Sequence, residues 1–499
     1  QKKHLLFCTA LLSLVVAASS CAGTEPERTP SSDAASGTGE PSESVAEPAT
    51  EPQTEAPEPV YDIPEPEIPA QDFGGAVFRM SGWYEPIYAE QWEYPDLWAE
   101  KLTGEVVNDA VFNRNLKVEE KFNVKMEEVR TGEIFNVLMS GDDTFSMLCH
   151  NFIHLGDWVG DGILLDMNNL PYCQYDSVYW NPTMREGSEV NGHLFMMATD
   201  LTYLTLAHVQ FLYFNKKILN DNDLTSPYTL VYDNQWTIEN YLNLIRSISK
   251  DVNGDGIMDD KDLYGATYAT GRRFGTYLQL YVGSDLHFTK DNGEGGRVID
   301  VDMEKAQALL DALSGVFAPA SPFALSTDKL EGRDVLFFME NHALFMHNTM
   351  EATSSLREME TDYGVVPNPK WDESQEEYAH RASPTCGVIA VPTNHPDTEM
   401  AGAVLEYASW LSHYTLKPAY YEVTIKTKRT RDEDAERMLD VIHDTIRFDM
   451  GDMFDTVNMA NYLYNAYEGG SISRVFGSSM KKIQKSLNKL VQIMDKVAQ

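Results

Sequence analysis

Apolar positions recur along this chain in two alternating rhythms, and the alternation predicts an architecture. Ala76 to Ser81 reads as a strand, Val107, Val111, Val118 and Phe122 share one helical face, and a second strand opens at Val124. Phe145 to Cys149 is a further short apolar run. After Asp302, a good helix N-cap, Met303, Ala306, Leu310, Leu313 and Phe317 keep helical spacing. The clearest helix follows Asp397: Met400, Ala403, Val404, Tyr407, Ala408 and Leu411 recur in steps of three and four, an amphipathic face bound for a core. Val190-Asn191-Gly192-His193 reads as a tight turn feeding a strand from Leu194 to Ala198. Strands alternating with helices predict an α/β class with mainly parallel sheets, in which ligands bind outside the carboxyl ends of the strands. No short period recurs, which argues against a solenoid or propeller.

The first seventy residues follow different rules. Lys2 and Lys3 precede an apolar run from Leu5 to Ala18, which closes on Ala18-Ser19-Ser20-Cys21. A basic start, a run too short to span a bilayer comfortably and small residues at its end predict a signal peptide over residues 1–20. The closing residues resemble a bacterial lipobox, with Ala18 where such boxes usually carry leucine. That resemblance implies cleavage before Cys21 and acylation of its thiol. From residue 21 to 71 the chain is dominated by Pro, Glu, Ser, Thr and Ala, with no aromatic before Tyr61. Such a segment buries too little apolar area to offset ordering entropy, and predicts a disordered, extended tether.

Charge and cysteine use narrow the function classes. The net charge is −38, and residues 22–70 hold twelve acids against the single Arg28. Binding nucleic acid requires a basic face to release phosphate counterions; none is visible in the sequence, so nucleic acid is not expected as a partner. Cys8 leaves with the signal and Cys21 is the anchor candidate, leaving Cys149, Cys173 and Cys386. An odd, widely spaced set does not read as a disulfide framework, so buried thiols are expected, with one pair left open. Metalloprotease, nucleophile-elbow, Walker and dinucleotide patterns are absent. The Ser-x-x-Lys spacing at Ser478 and Lys481 also occurs at Ser247 and Lys250, in both places without companion motifs, as chance would give. No enzyme is expected.

Leu212-Tyr213-Phe214-Asn215-Lys216-Lys217, then Ser226-Pro227-Tyr228, then Trp236-Thr237 resemble the middle of bacterial extracellular solute-binding proteins of the large sugar-binding type. Phe337 to Phe345 is similar to that family's return strand and Tyr363 to Lys370 to its later loop. Arg431-Asp432-Glu433-Asp434 before Met438-Leu439 is similar to a C-terminal segment of its lipoprotein branch. The resemblance implies two α/β lobes joined by hinge crossings that close on a ligand. Lobe one would hold residues 72–203 with 345–382, and lobe two 204–344 with 383–499. It further implies a monomer on the outer face of the cell membrane that hands a small polar solute, an oligosaccharide above all, to the permease subunits of an ABC transporter. A secreted glycoside hydrolase, or a binding subunit of a membrane sensor, is the alternative.

Sugars present apolar ring faces and a rim of hydroxyls, so a binder supplies aromatic plates flanked by carboxylates, amides and guanidinium groups. Trp83, Tyr84 and Glu85 follow the first strand, Asn151 follows the third, and Asp200 lies at the first crossing. Trp180, Tyr268, Arg272, His347 and Asn348 complete the candidates. Separately, residues 251–262 fit the twelve-residue calcium loop. Asp251, Asn253, Asp255, Asp259 and Asp262 supply side-chain oxygens, Ile257 supplies a carbonyl, and Gly256 permits the sharp turn. Asp262 replaces the usual Glu, and the loop sits between a helix and a strand rather than two helices. A structural Ca2+ on lobe two is expected.

Overall fold

The computed structural model describes residues 61–82, 96–395, 397–425 and 433–498. The signal segment, Cys21, the tether up to residue 60, and Trp83, Tyr84 and Glu85 lie outside the described residues.

Two mixed sheets organise the molecule. In the first, the order is Gly387–Ala390, Met147–Asn151, Ala76–Ser81, Val124–Val129. The last three strands run parallel, and Gly387–Ala390 pairs antiparallel with Met147–Asn151. The second sheet runs Tyr363–Val366, Phe211–Asn215, Ala343–Asn348, Tyr264–Tyr268, Ala324–Ser326. There Tyr264–Tyr268 is parallel to both neighbours, whereas Phe211–Asn215 is antiparallel to both of its own. The sheets are therefore mixed rather than mainly parallel, because each lobe receives strands from chain segments that return from the other.

Those returning strands correct the expected lobe borders. Residues 345–348 of the strand Ala343–Asn348 and the strand Tyr363–Val366, expected in lobe one, lie in the second sheet, and Gly387–Ala390, expected in lobe two, closes the first. Hydrophobic pattern cannot distinguish the two sheets, since all these strands are buried on both faces. Phe337 and Phe338 belong to a helix, Asp334–Met339, with the strand starting only at Ala343, and the expected loop from Tyr363 opens as a strand. The strand expected from Leu194 to Ala198 reduces to a single bridge at Met197, though its turn is present at Val190 and His193.

Helix ends follow the side chains that cap them. Asp302 accepts amide protons from Glu304 and Lys305 and starts Met303–Ser314, and Asp397 accepts from Met400 and starts Thr398–Tyr414. The second of these is buried all round from Met400 to Ser412, not along one face, because the first lobe wraps it. Its Gly402 has no room for a side chain, as a Cβ there would come 2.1 Å from the Pro171 carbonyl oxygen. Residues 61–63, within the stretch expected as tether, are docked on this helix: Tyr61 stacks on Trp410 at 4.8 Å, and the Ile63 carbonyl accepts the Trp410 indole proton. An aromatic and an isoleucine give that stretch the apolar contact which the preceding residues lack. Of the described cysteines, Cys149, Cys173 and Cys386 are all free.

The C-terminal helix, Ile472–Val497, closes the structure. Gln484 accepts the Ile299 amide proton beside the second lobe, and Asp495 accepts from Asn191 on the first.

Candidate ligand-binding cleft

Three chain segments cross between the sheets and pair with one another. Val209 bridges Ala382, and His380–Arg381 lies parallel to Ile446–Arg447. An α/β sheet leaves its ligand crevice outside the carboxyl ends of its parallel strands, so a ligand is expected near these crossings. Arg381, 1% exposed, ties them together. Its guanidinium forks onto Asp452 at 2.6 and 2.9 Å and donates to the Arg273 carbonyl and the Gln210 side chain. His208, equally buried, meets Thr385 at 2.6 Å and Glu351 at 3.6 Å.

One wall belongs to the first lobe. The strand Met147–Asn151 leads directly into the helix Phe152–Val159, capped by Asn151, whose side-chain oxygen accepts the His154 amide proton. Helical spacing from that cap brings His154 and Trp158 into one layer with His150, and Phe135 adds a fourth ring at 5.7 Å from Trp158. Burial, helped by His154, pushes His150 down to about 3, so it is a neutral ring. Burial and the facing Asp455 carboxylate raise Asp157 on the same helix, while His154 and Arg273 act against them.

The opposite wall follows the strand Tyr264–Tyr268. Arg272 bonds Asn461 at 3.2 Å, Arg273 pairs with Asp455 at 2.6 Å, and Phe274 is 44% exposed beside them. The Phe274 backbone is fixed by Gln210, which donates to its carbonyl. An aromatic left open between guanidinium groups and carboxylates is the pairing that sugar rings require.

The sequence candidates divide accordingly. Asn151 caps the helix Phe152–Val159, and Arg272 bonds Asn461 beyond the strand Tyr264–Tyr268. Asn348 ends the strand Ala343–Asn348 and is tied to Asp334 at 3.1 Å. Trp180 is fully buried with its indole proton on Glu406, Tyr268 packs on Phe317, and His347 is enclosed by Tyr241 and Gln279, its pKa pushed down to about 3 by burial. Asp200 lies in the first crossing but is enclosed by His413 at 2.6 Å and His443 at 2.9 Å. Burial opposes its ionisation; His443, His413 and Lys417 outweigh burial and hold the carboxyl well below the usual range. His154, Trp158, Arg273 and Phe274 were not among the candidates. The signal for the first two was present, since they lie three and seven residues beyond Asn151 on the helix it caps.

The calcium-type loop curls as its sequence predicts, with Gly254 and Gly256 at φ 74° and 81°. Asp251 accepts amide protons from Gly254 and Gly256, Asp255 from Ile257, and the buried Asp262 from Val252 and Asp259. Each carboxylate retains acceptor sites, since an ionised carboxylate offers about four. Among the described residues no three acidic, His or Cys side chains converge as a ready metal cage.

No family model matches the chain, and no curated protein sequence matches it. Solved structures do. A sugar transporter protein from Rhizobium etli in an open conformation aligns over 84% of this chain and 99% of its own, at 12% identity and a TM-score of 0.52. A cyclo/maltodextrin-binding protein complexed with maltotetraose aligns over 85% and 98%, at 14% identity and 0.51. UspC of M. tuberculosis aligns over 83% and 100%, at 13% identity and 0.50. The described chain has the two-lobed α/β fold of the periplasmic-binding-protein type.

Proposed function

We propose that this chain is an extracellular solute-binding lipoprotein that captures a carbohydrate between its lobes, passes it to an ABC importer and leaves it chemically unchanged. The observation that carries this reading is the two-lobed fold, in which Phe274 is left 44% exposed beside Arg272 and Arg273 and Trp158 stands in an aromatic layer on the other lobe. The similar proteins of known structure support it, one being a cyclo/maltodextrin-binding protein complexed with maltotetraose and another a sugar transporter. The leader and lipobox-like segment support a lipid anchor at Cys21 and a site outside the cell. The loop Asp251–Asp262 is read as a calcium clip on the second lobe, its oxygens at alternate positions suiting a hard cation.

The test is a thermal-shift panel of oligosaccharides, polyols and sugar acids, followed by chromatography of each stabilising compound. A ligand at about a hundred times its Kd stabilises by about 2.7 kcal/mol. Stabilisation by an oligosaccharide recovered intact supports the reading. A panel without any shift, or recovery of cleaved sugar, defeats it, the second outcome in favour of a glycoside hydrolase.

A further inference from the structure

The C-terminal helix carries a feature that solute capture does not use. Along its 26 residues stand Arg474, Lys481, Lys482, Lys485, Lys489 and Lys496, against the single acid Asp495, in a chain whose net charge is −38. At about 100° per residue these six cations fall within roughly 100° of arc. That arc lies opposite the buried Ile472, Phe476, Ile483, Leu487, Leu490 and Met494. The five lysines are exposed, and none has a salt-bridge or hydrogen-bond partner among the described residues. The basic face that could not be seen in the linear sequence is thus assembled by helical spacing, as a straight rod of roughly 33 Å.

We propose that this lysine stripe docks the protein body on an anionic phospholipid surface. The residues between the cations on the stripe are Ser478 and Gln492, both exposed, so it presents no apolar centre. Protein interfaces have apolar or aromatic cores and are depleted in lysine, so a lysine-only stripe fits a fluid layer of anionic headgroups better than a folded partner. The helix does not insert, because its apolar face is committed to the protein core. Carboxylates elsewhere on the body are screened beyond about 10 Å at 0.1 M salt, so the local stripe decides the contact. Because the helix is bonded to Asn191 on one lobe and Ile299 by the other, docking along it would present both lobes to the membrane side by side. The inference takes only its location from the tethered reading.

The experiment is co-sedimentation of the full, unacylated chain with vesicles of phosphatidylglycerol mixed into phosphatidylcholine, and with phosphatidylcholine alone. Binding to the anionic vesicles alone, lost at about 0.5 M salt, is expected. Replacing the five lysines (K481Q, K482Q, K485Q, K489Q, K496Q) should reduce the bound fraction at least about tenfold, since each cation near such a surface contributes. The control K101Q/K125Q, which removes exposed lysines elsewhere, should bind as the native chain does. Unchanged melting of both variants establishes that they fold. Equal binding to neutral vesicles, undiminished binding by the five-lysine variant, or binding to duplex DNA in place of vesicles would overturn the proposal. Oligosaccharide stabilisation measured on the same variants reports separately on solute capture.

Discussion

At the residue scale, the crossings concentrate charge that the protein must keep paired. Arg381 and Asp452 are 1% and 9% exposed at their side chains, and removing one partner of a buried pair costs about 3–5 kcal/mol. Arg381→Met is therefore expected to lose about that much in urea unfolding; a loss under about 1 kcal/mol would mean that the pair is dispensable. The Asp200 cluster gives a pH dependence. Burial and Lys417 work against a charged His443, and the Asp200 and Asp444 carboxylates outweigh them, so its pKa is raised above 6.5. A group raised on folding stabilises fully below its unfolded pKa, and that contribution is lost as pH rises through the folded one. The melting-temperature gap between the native chain and His443→Gln should be widest below about pH 6.5 and narrow above it. Taking the gap cancels His150, His347 and His380, which burial holds neutral with pKa values of about 3 and which act in the opposite sense. A gap that is flat with pH would remove His443 from the account.

Elements were more legible than their side chains' destinations. The capped helices after Asp302 and Asp397 and the strand Ala76–Ser81 follow from spacing alone, because period and cap chemistry are local. Trp180 and His347 read as ligand residues because both lie near crossings or strand ends, but only tertiary packing shows that Glu406 and Tyr241 enclose them. Nothing in a single chain tells whether Arg272 or Phe274 of the same loop stays open, and Phe274 is 44% exposed. Phe274→Ala and Trp158→Ala should each weaken oligosaccharide binding about tenfold or more, which is about 1.4 kcal/mol, in calorimetric titration. Unchanged affinity in both would place the sugar elsewhere. The loop Asp251–Asp262 makes a separate prediction: chelation lowers the melting temperature of the native chain, added calcium restores it, and Asp255→Ala no longer responds. Melting that ignores both chelator and calcium would leave the loop a plain turn.

At the scale of the whole molecule, the α/β class and the two-lobed plan were readable, while the strand exchange between lobes was not. Ala343–Asn348 and Gly387–Ala390 are similar buried runs, and only pairing partners separate them: the first joins Phe211–Asn215, the second Met147–Asn151. That exchange has a mechanical consequence. Crossings paired as Val209 with Ala382 and His380–Arg381 with Ile446–Arg447 suit a hinge, the motion by which two-domain proteins close around ligands. A ligand shifts such an equilibrium only by binding the closed form better than the open one, as a sugar touching both walls would.

Small-angle X-ray scattering of the chain with and without a stabilising oligosaccharide tests this claim most directly. The account predicts a radius of gyration that falls and saturates with the sugar, which is afterwards recovered intact. A radius unchanged at saturating sugar, or sugar consumed during the titration, would contradict it.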